Sequence, residues 1–177
     1  MTDNEDLEVL GRALDQLSDL LTGIPPEASS GPTPCGTWTV QDLVDHIVAA
    51  PMRFSRMVRG QAIDWSAPTP PAGPHPADAF RAHGEDLMRA WRANAGPVEA
   101  PGPDWQCAEL AVHTWDLAAA LDLSTDGLDP LVAERGLDFL QANLTAENRG
   151  PAFGPPQPEP ERADAYQRIA AFAGRTV

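Results

Sequence analysis

Leucines recur along residues 4–22 at steps of three and four: Leu7, Leu10, Leu14, Leu17 and Leu21. One apolar stripe on an otherwise polar segment predicts an amphipathic helix. The pattern stops in TGIPPEASSGPTP, where prolines and glycines leave no helical period. It resumes in CGTWTVQDLVDHIVAAPMRFSRMVRG. Thr39 followed by Asp42 is a capping arrangement, with the hydroxyl meeting the unpaired amide three residues on. Leu43, Val44, Ile47, Val48 and Phe54 then line one face of a second helix. Pro51 lies inside this pattern. It lacks an amide hydrogen and crowds the carbonyl of Ile47, so a kink or a break is expected there.

Residues 60–76, GQAIDWSAPTPPAGPHP, form a Pro-rich connection with no helical period, long for a loop between packed helices. A third helix follows in PADAFRAHGEDLMRAWRANAG, with Phe80, Leu87 and Trp91 turned inward and Gly96 closing it. A fourth spans roughly residues 104 to 121. DPLVAERGLDFLQANL is a fifth, with Asp129 as the N-cap and Pro130 at the first helical position. NRGPAFGPPQPEPERAD reads as extended, and DAYQRIAAFAGR as a short final helix. No alternating strand pattern and no internal repeat stands out. The expected fold is all-α: four longer helices in a bundle, with shorter ones outside it. One domain over residues 1–177 is expected, residues 146–177 being a Pro-rich extension packed on the bundle.

Composition adds limits. An apolar fraction of 42%, with five Trp and five Phe, is enough for a real core. No run of eighteen apolar residues exists, and the acidic start MTDNEDLEVL is wrong for a secretory signal, so a soluble cytoplasmic protein is expected. The net charge is −14, and all 12 basic residues are Arg. Such a charge repels phosphate backbones and disfavours nucleic-acid binding. Arg without Lys, among many Ala, Pro and Gly, points to a GC-rich coding sequence. The two cysteines, Cys35 and Cys107, offer no C-x2-C pair for a thiolate zinc site and no disulfide framework. Both are expected to be small buried hydrophobes.

The fourth helix contains CAELAVHTWDLAAAL, residues 107–121, where Glu109, His113 and Asp116 interrupt the alanines and leucines. Groups four apart on a helix are neighbours about 6 Å apart, so Glu109 and His113 can reach one ion. His46, on the inward side of the second helix, can supply a third donor from across a bundle. Two histidines and one carboxylate with a vacant fourth position is the pattern of an open zinc site. Asp116, one turn on, could hold the imidazole of His113 from behind or join as a fourth ligand. A Glu–His pair at this spacing is also common on a merely solvated face, so spacing leaves both readings open. His75, in the Pro-rich loop, is expected at the surface. His83 is expected partly buried, without an obvious companion. Trp38, Trp105 and Trp115 read as core residues.

Three segments carry a resemblance. TPCGTWTVQDLVDHIV is similar to a T-P-C-x-x-W-x-V-x-x-L-x-x-H-L pattern, ELAVHTWDLAAAL to E-L-x-V-H-G-W-D-L-A-x-A, and FGPPQPEPERADAYQRIAAFAGR to F-x-P-P-V followed by D-A-x-x-x-R-L-x-A-F-x-G-R. In this order, over residues 33–175, they resemble the DinB-like proteins of the mycothiol-dependent maleylpyruvate isomerase N-terminal type, in an actinobacterial metal-binding branch. The resemblance implies a DinB-like four-helix bundle holding a divalent metal, Zn2+ first and Ni2+ as an alternative. The family's ligands fall on His46, Glu109 and His113. Related proteins use the metal to activate a low-molecular-weight thiol such as mycothiol, which is then the expected co-substrate. The chain departs from the pattern at Thr114, where the family has Gly, at Pro51 near His46, and in a short connection EAPGPDW. It is also too short for the further domain of the full isomerase, so that reaction is not implied. Two functions are expected to compete: a metal-dependent thiol transferase or isomerase-like enzyme, and a non-enzymatic metal-stabilised bundle that binds a partner. Monomer and homodimer both remain open.

Overall fold

The computed structural model of the protein describes residues 4–93, 102–150 and 152–177. These residues form six α-helices: α1 (Asn4–Thr22), α2 (Val40–Val58), α3 (Pro76–Ala93), α4 (Pro103–Ala120), α5 (Pro130–Asn143) and α6 (Ala165–Phe172). A 3-10 turn at Pro26–Ser30 leads from α1 toward α2. No strand occurs among the described residues; Pro32 and Thr39 make one isolated bridge.

Three of the helices, α2, α5 and α6, begin where the sequence provides side-chain caps. Thr39 Oγ1 accepts from the Asp42 amide at 3.2 Å, and Asp42 Oδ2 accepts from the Thr39 amide at 2.9 Å. Asp129 caps α5 through the Leu131 amide at 3.0 Å, ahead of Pro130. Asp164 and Gln167 form the same reciprocal box on α6. Gly96, expected to close α3, lies outside the described residues.

Pro51 does not break α2, which runs through it from Val40 to Val58. Ile47, Val48, Phe54 and Val58 on either side are all buried. Packing on both flanks outweighs the one hydrogen bond that Pro51 cannot make.

Packing makes a ring in the order α1, α3, α2, α4: α1 and α2 each lie against both α3 and α4. That is the four-helix bundle. Leu10, Leu14 and Leu17 of α1, Leu43 and Ile47 of α2, Phe80 and Leu87 of α3, and Leu110 and Leu117 of α4 share its core. α5 covers the outer side of α4, and α6 packs on both. α4 is therefore enclosed on nearly every side, and Ala108, Ala111 and Ala118 let its neighbours come close. The closest approach is at Gly136, where a Cβ would stand 2.9 Å from both Ala108 Cα and Ile169 Cδ1. His83 does have a companion: its Nδ1 lies 2.8 Å from the Val48 carbonyl, a tie from α3 to α2 that side-chain periodicity does not reveal. No described helix is long and apolar enough to cross a membrane.

The C-terminal segment is fastened to this frame. Arg149 Nη1 donates to the carbonyls of Gly154 and Phe172, each at 2.8 Å, and its guanidinium lies 4.7 Å from the Phe172 ring centre. Gly174 has φ +92°, and a Cβ there would meet the Gly154 backbone at 2.6 Å. Only glycine fits this crossing.

Candidate metal centre

The enclosure of α4 makes its polar residues conspicuous, because a buried polar group needs a partner. Thr114, in the place of the family's Gly, satisfies itself by donating to the Leu110 carbonyl at 2.7 Å. Gln106 accepts from the Trp91 indole at 2.9 Å. The rest converge where α4 faces the first turns of α2.

His46 Nε2 lies 2.9 Å from Glu109 Oε1, and His113 Nε2 lies 3.3 Å from the same oxygen. The four-residue step from Glu109 to His113 puts both on one face of α4, and His46 reaches them from α2. The ligand atoms of the three residues all lie within 4.8 Å of one another. The two imidazole rings meet edge to face, with centres 4.7 Å apart. Trp38 stands beside them, 4.9 Å from the His46 ring and 6.3 Å from that of His113. All four residues line a cavity of about 530 Å³, together with Phe153 and Arg175.

Asp116 is fully buried. Its Oδ2 accepts from His113 Nδ1 at 3.0 Å, from Arg175 Nη2 at 2.9 Å and from the Cys35 thiol at 3.0 Å. Its Oδ1 accepts from Arg175 Nε at 3.0 Å. The carboxylate thus stands on the ring nitrogen of His113 that faces away from Glu109. Both its oxygens are occupied, and it is not beside the other donors as a fourth ligand.

The charges follow from these contacts. Burial alone would raise the Glu109 carboxyl, but His113 and His46 outweigh it and hold the group well below the usual range. Burial opposes charge on His113 as well, yet the Glu109 carboxylate and the hydrogen bond to Asp116 push it well above the ordinary imidazole value. Asp116 resists its own burial in the same way: bonds from His113 and Arg175 bring it down to about 2. Without a metal the centre is a neutralised chain of alternating charges.

Three sequence expectations change here. Cys35 is half-buried rather than an inert core residue, because the tight TPCG turn before the α2 cap aims its thiol at α4. Thr33 Oγ1 accepts from the Cys35 amide at 3.1 Å and donates to the Trp38 carbonyl at 2.9 Å, which sets that turn. Trp38 is half-buried and walls the cavity instead of filling the core. Trp105 is also half-buried, within an aromatic group formed with Phe54 and Trp65, centres 4.9 and 5.9 Å away. Cys107 and Trp115 are buried as expected, and burial pushes the Cys107 thiol up to about 12. His75 is exposed, also as expected.

Cys35, His113 and Asp116 form a second group with atoms close enough for a metal. The Arg175 guanidinium already supplies the positive charge at Asp116, which disfavours a second cation there. Spacing along a helix singles out neither Arg175 nor Cys35. Both nevertheless lie in the segments that carry the family resemblance, TPCGTW and AFAGR.

Residues 10–118 match the model of the mycothiol maleylpyruvate isomerase N-terminal domain. That stretch holds Cys35, Trp38, His46, Glu109, His113 and Asp116, and the helical fold agrees with it. The chain belongs to this family. It is similar to two uncharacterized proteins from two strains of Mycobacterium tuberculosis, each 33% identical over 184 residues that cover 94% of this chain and 95% of the relative. No solved structure matches significantly.

Proposed function

We propose that His46, Glu109 and His113 hold a divalent metal ion, and that the site serves a low-molecular-weight thiol, mycothiol in the first place, in a transferase or isomerase-like reaction. The observation that carries this reading is the convergence of two imidazole Nε2 atoms on one Glu109 oxygen beside a cavity. Two imidazoles and a carboxylate suit Zn2+ with a position left for substrate, and Ni2+ accepts the same donors. When bound, such an ion supplies Lewis acidity that makes a thiolate or hydroxide accessible at neutral pH.

The chain's own residues do the rest. Asp116 accepts from His113 Nδ1 and so turns Nε2 toward Glu109 and His46. Trp38, Val112 and Phe153 give the cavity apolar walls that limit water around the reacting atoms. A purely structural metal site would want a fourth protein ligand. Asp116, the candidate for that role, is engaged by Arg175 and by the far side of His113. This favours an open site over a metal-stabilised binding module. The family model names mycothiol, which supports the choice of thiol. The reading includes a cytoplasmic location and a small-molecule partner, and a net charge of −14 opposes nucleic acid as that partner.

Calorimetric titration of mycothiol into zinc-loaded and chelator-treated protein tests the function. Binding confined to the loaded protein is expected. Equal binding to both, or to neither, contradicts it.

A further inference from the structure

We infer that Arg175 is a positioning residue of the site, acting through Asp116 on the orientation of His113. The inference rests on the metal reading for its consequence, but its geometry stands alone. Arg175 grips Asp116 as a fork, Nε on one oxygen at 3.0 Å and Nη2 on the other at 2.9 Å. Two parallel bonds fix the plane of a carboxylate as well as its place, which a point charge cannot do. That plane aims Oδ2 at His113 Nδ1, 3.0 Å away. The bond in turn fixes the imidazole ring and leaves Nε2 facing Glu109 and His46.

The fork is itself held. Arg175 Nη1 donates to the carbonyls of Ala152 and Ala173 at 3.2 and 3.0 Å. Its backbone amide bonds the Ala170 carbonyl at 2.9 Å, anchoring it to the end of α6. The Gly154–Gly174 crossing and the Arg149 bonds tie the same two chain segments together. Almost all of the guanidinium's donors are therefore used inside the protein. Arg175 is committed to Asp116 rather than offered to a substrate anion. The C-terminal segment, beyond the stretch matched by the family model, thereby becomes part of the metal centre.

The test compares wild type, Arg175→Met and Arg175→Lys as full-length protein, using Co2+ as the probe and its visible absorption as the signature of ligand geometry. Co2+ affinity is expected to fall roughly tenfold in Arg175→Met, with altered band shape, because partners behind metal ligands contribute on this scale. Arg175→Lys, which keeps the charge without the fork, restores affinity only in part. Wild-type affinity and spectrum in a folded Arg175→Met overturn the inference. If Arg175→Met does not fold, an Arg175→Lys protein with an unchanged spectrum and affinity does the same. Nitrogen-correlated NMR of His113 in metal-free protein is the second arm. A protected Nδ1 proton in wild type that exchanges freely in the variants supports the role, and an unchanged signal overturns it. Failure of the wild type to bind Co2+ counts against the metal reading alone, and the NMR arm still decides Arg175.

Discussion

Nε2 of His46 lies 2.9 Å from Oε1 of Glu109, a residue 63 positions along the chain and on a different helix. The contact joins α2 to α4 at the point where the bundle is open to a cavity. It explains why neither residue reads as a simple surface group. Each is partly exposed, and each has its polar atom directed at the other.

Replacing Glu109 by Gln keeps the shape and removes the charge. Metal affinity is expected to drop by more than the 10–100-fold or so typical of losing a partner behind a ligand. Competition with a chromophoric chelator measures it. Retained affinity would mean that the carboxylate is not a ligand.

Protons and metal compete for the same imidazole nitrogens, which gives the pH dependence a definite sign. In metal-free protein the folded His113 titrates above its unfolded value of about 6.5. Its charged form therefore adds stability that is present below that value and is lost as pH rises through the folded one. Glu109 is shifted down, so its contribution is present above its unfolded value and is lost as pH falls. Metal must displace the His113 proton, so the rise in Tm on adding Zn2+ is expected to be larger at pH 8 than at pH 6. Thermal melts with and without the ion check this, and a metal-induced shift independent of pH speaks against it.

Gly174→Ala tests the C-terminal crossing. At φ +92° with Gly154 backbone at 2.6 Å, the added methyl group has no room. Destabilisation of about 1–3 kcal/mol is expected from the backbone conformation, with the contact adding to it. Denaturant unfolding measures the change, and an unaltered midpoint would show that the segment yields freely.

Cys35 and Cys107 should differ in reactivity. Cys35 lines the cavity, whereas Cys107 is fully buried with its thiol pushed up to about 12. Iodoacetamide is expected to modify Cys35 alone in the native protein, and Cys107 only after unfolding. Peptide mass spectrometry distinguishes them, and native labelling of Cys107 would contradict the packing of α4 against α5.

How much of this was legible in the chain depends on distance along it. The helices were readable because their stripes and caps are local: the leucines of α1, the Thr39–Asp42 box and the Asp129–Pro130 start need only neighbouring residues. Pro51 misled because its local cost is outweighed by burial on both sides, which is a tertiary effect. Within the site, Glu109 and His113 share a helix face, and His46 lies on an inward stripe, so a bundle brings them together. The partners of Asp116 have no such rule. Cys35 lies 81 positions away in a Gly- and Pro-containing loop, and Arg175 lies 59 away just past the end of α6, and no periodicity describes the path of the chain to either. The environment that decides between ligand and support for Asp116 comes from those two residues.

The central claim is that His46, Glu109 and His113 bind a divalent metal. Elemental analysis of untagged wild type and His113→Ala, each incubated with Zn2+ and dialysed, measures it directly. The account predicts close to one ion per wild-type chain and loss of it in a folded variant. A wild type that retains no metal, or a His113→Ala protein that retains as much, would contradict it.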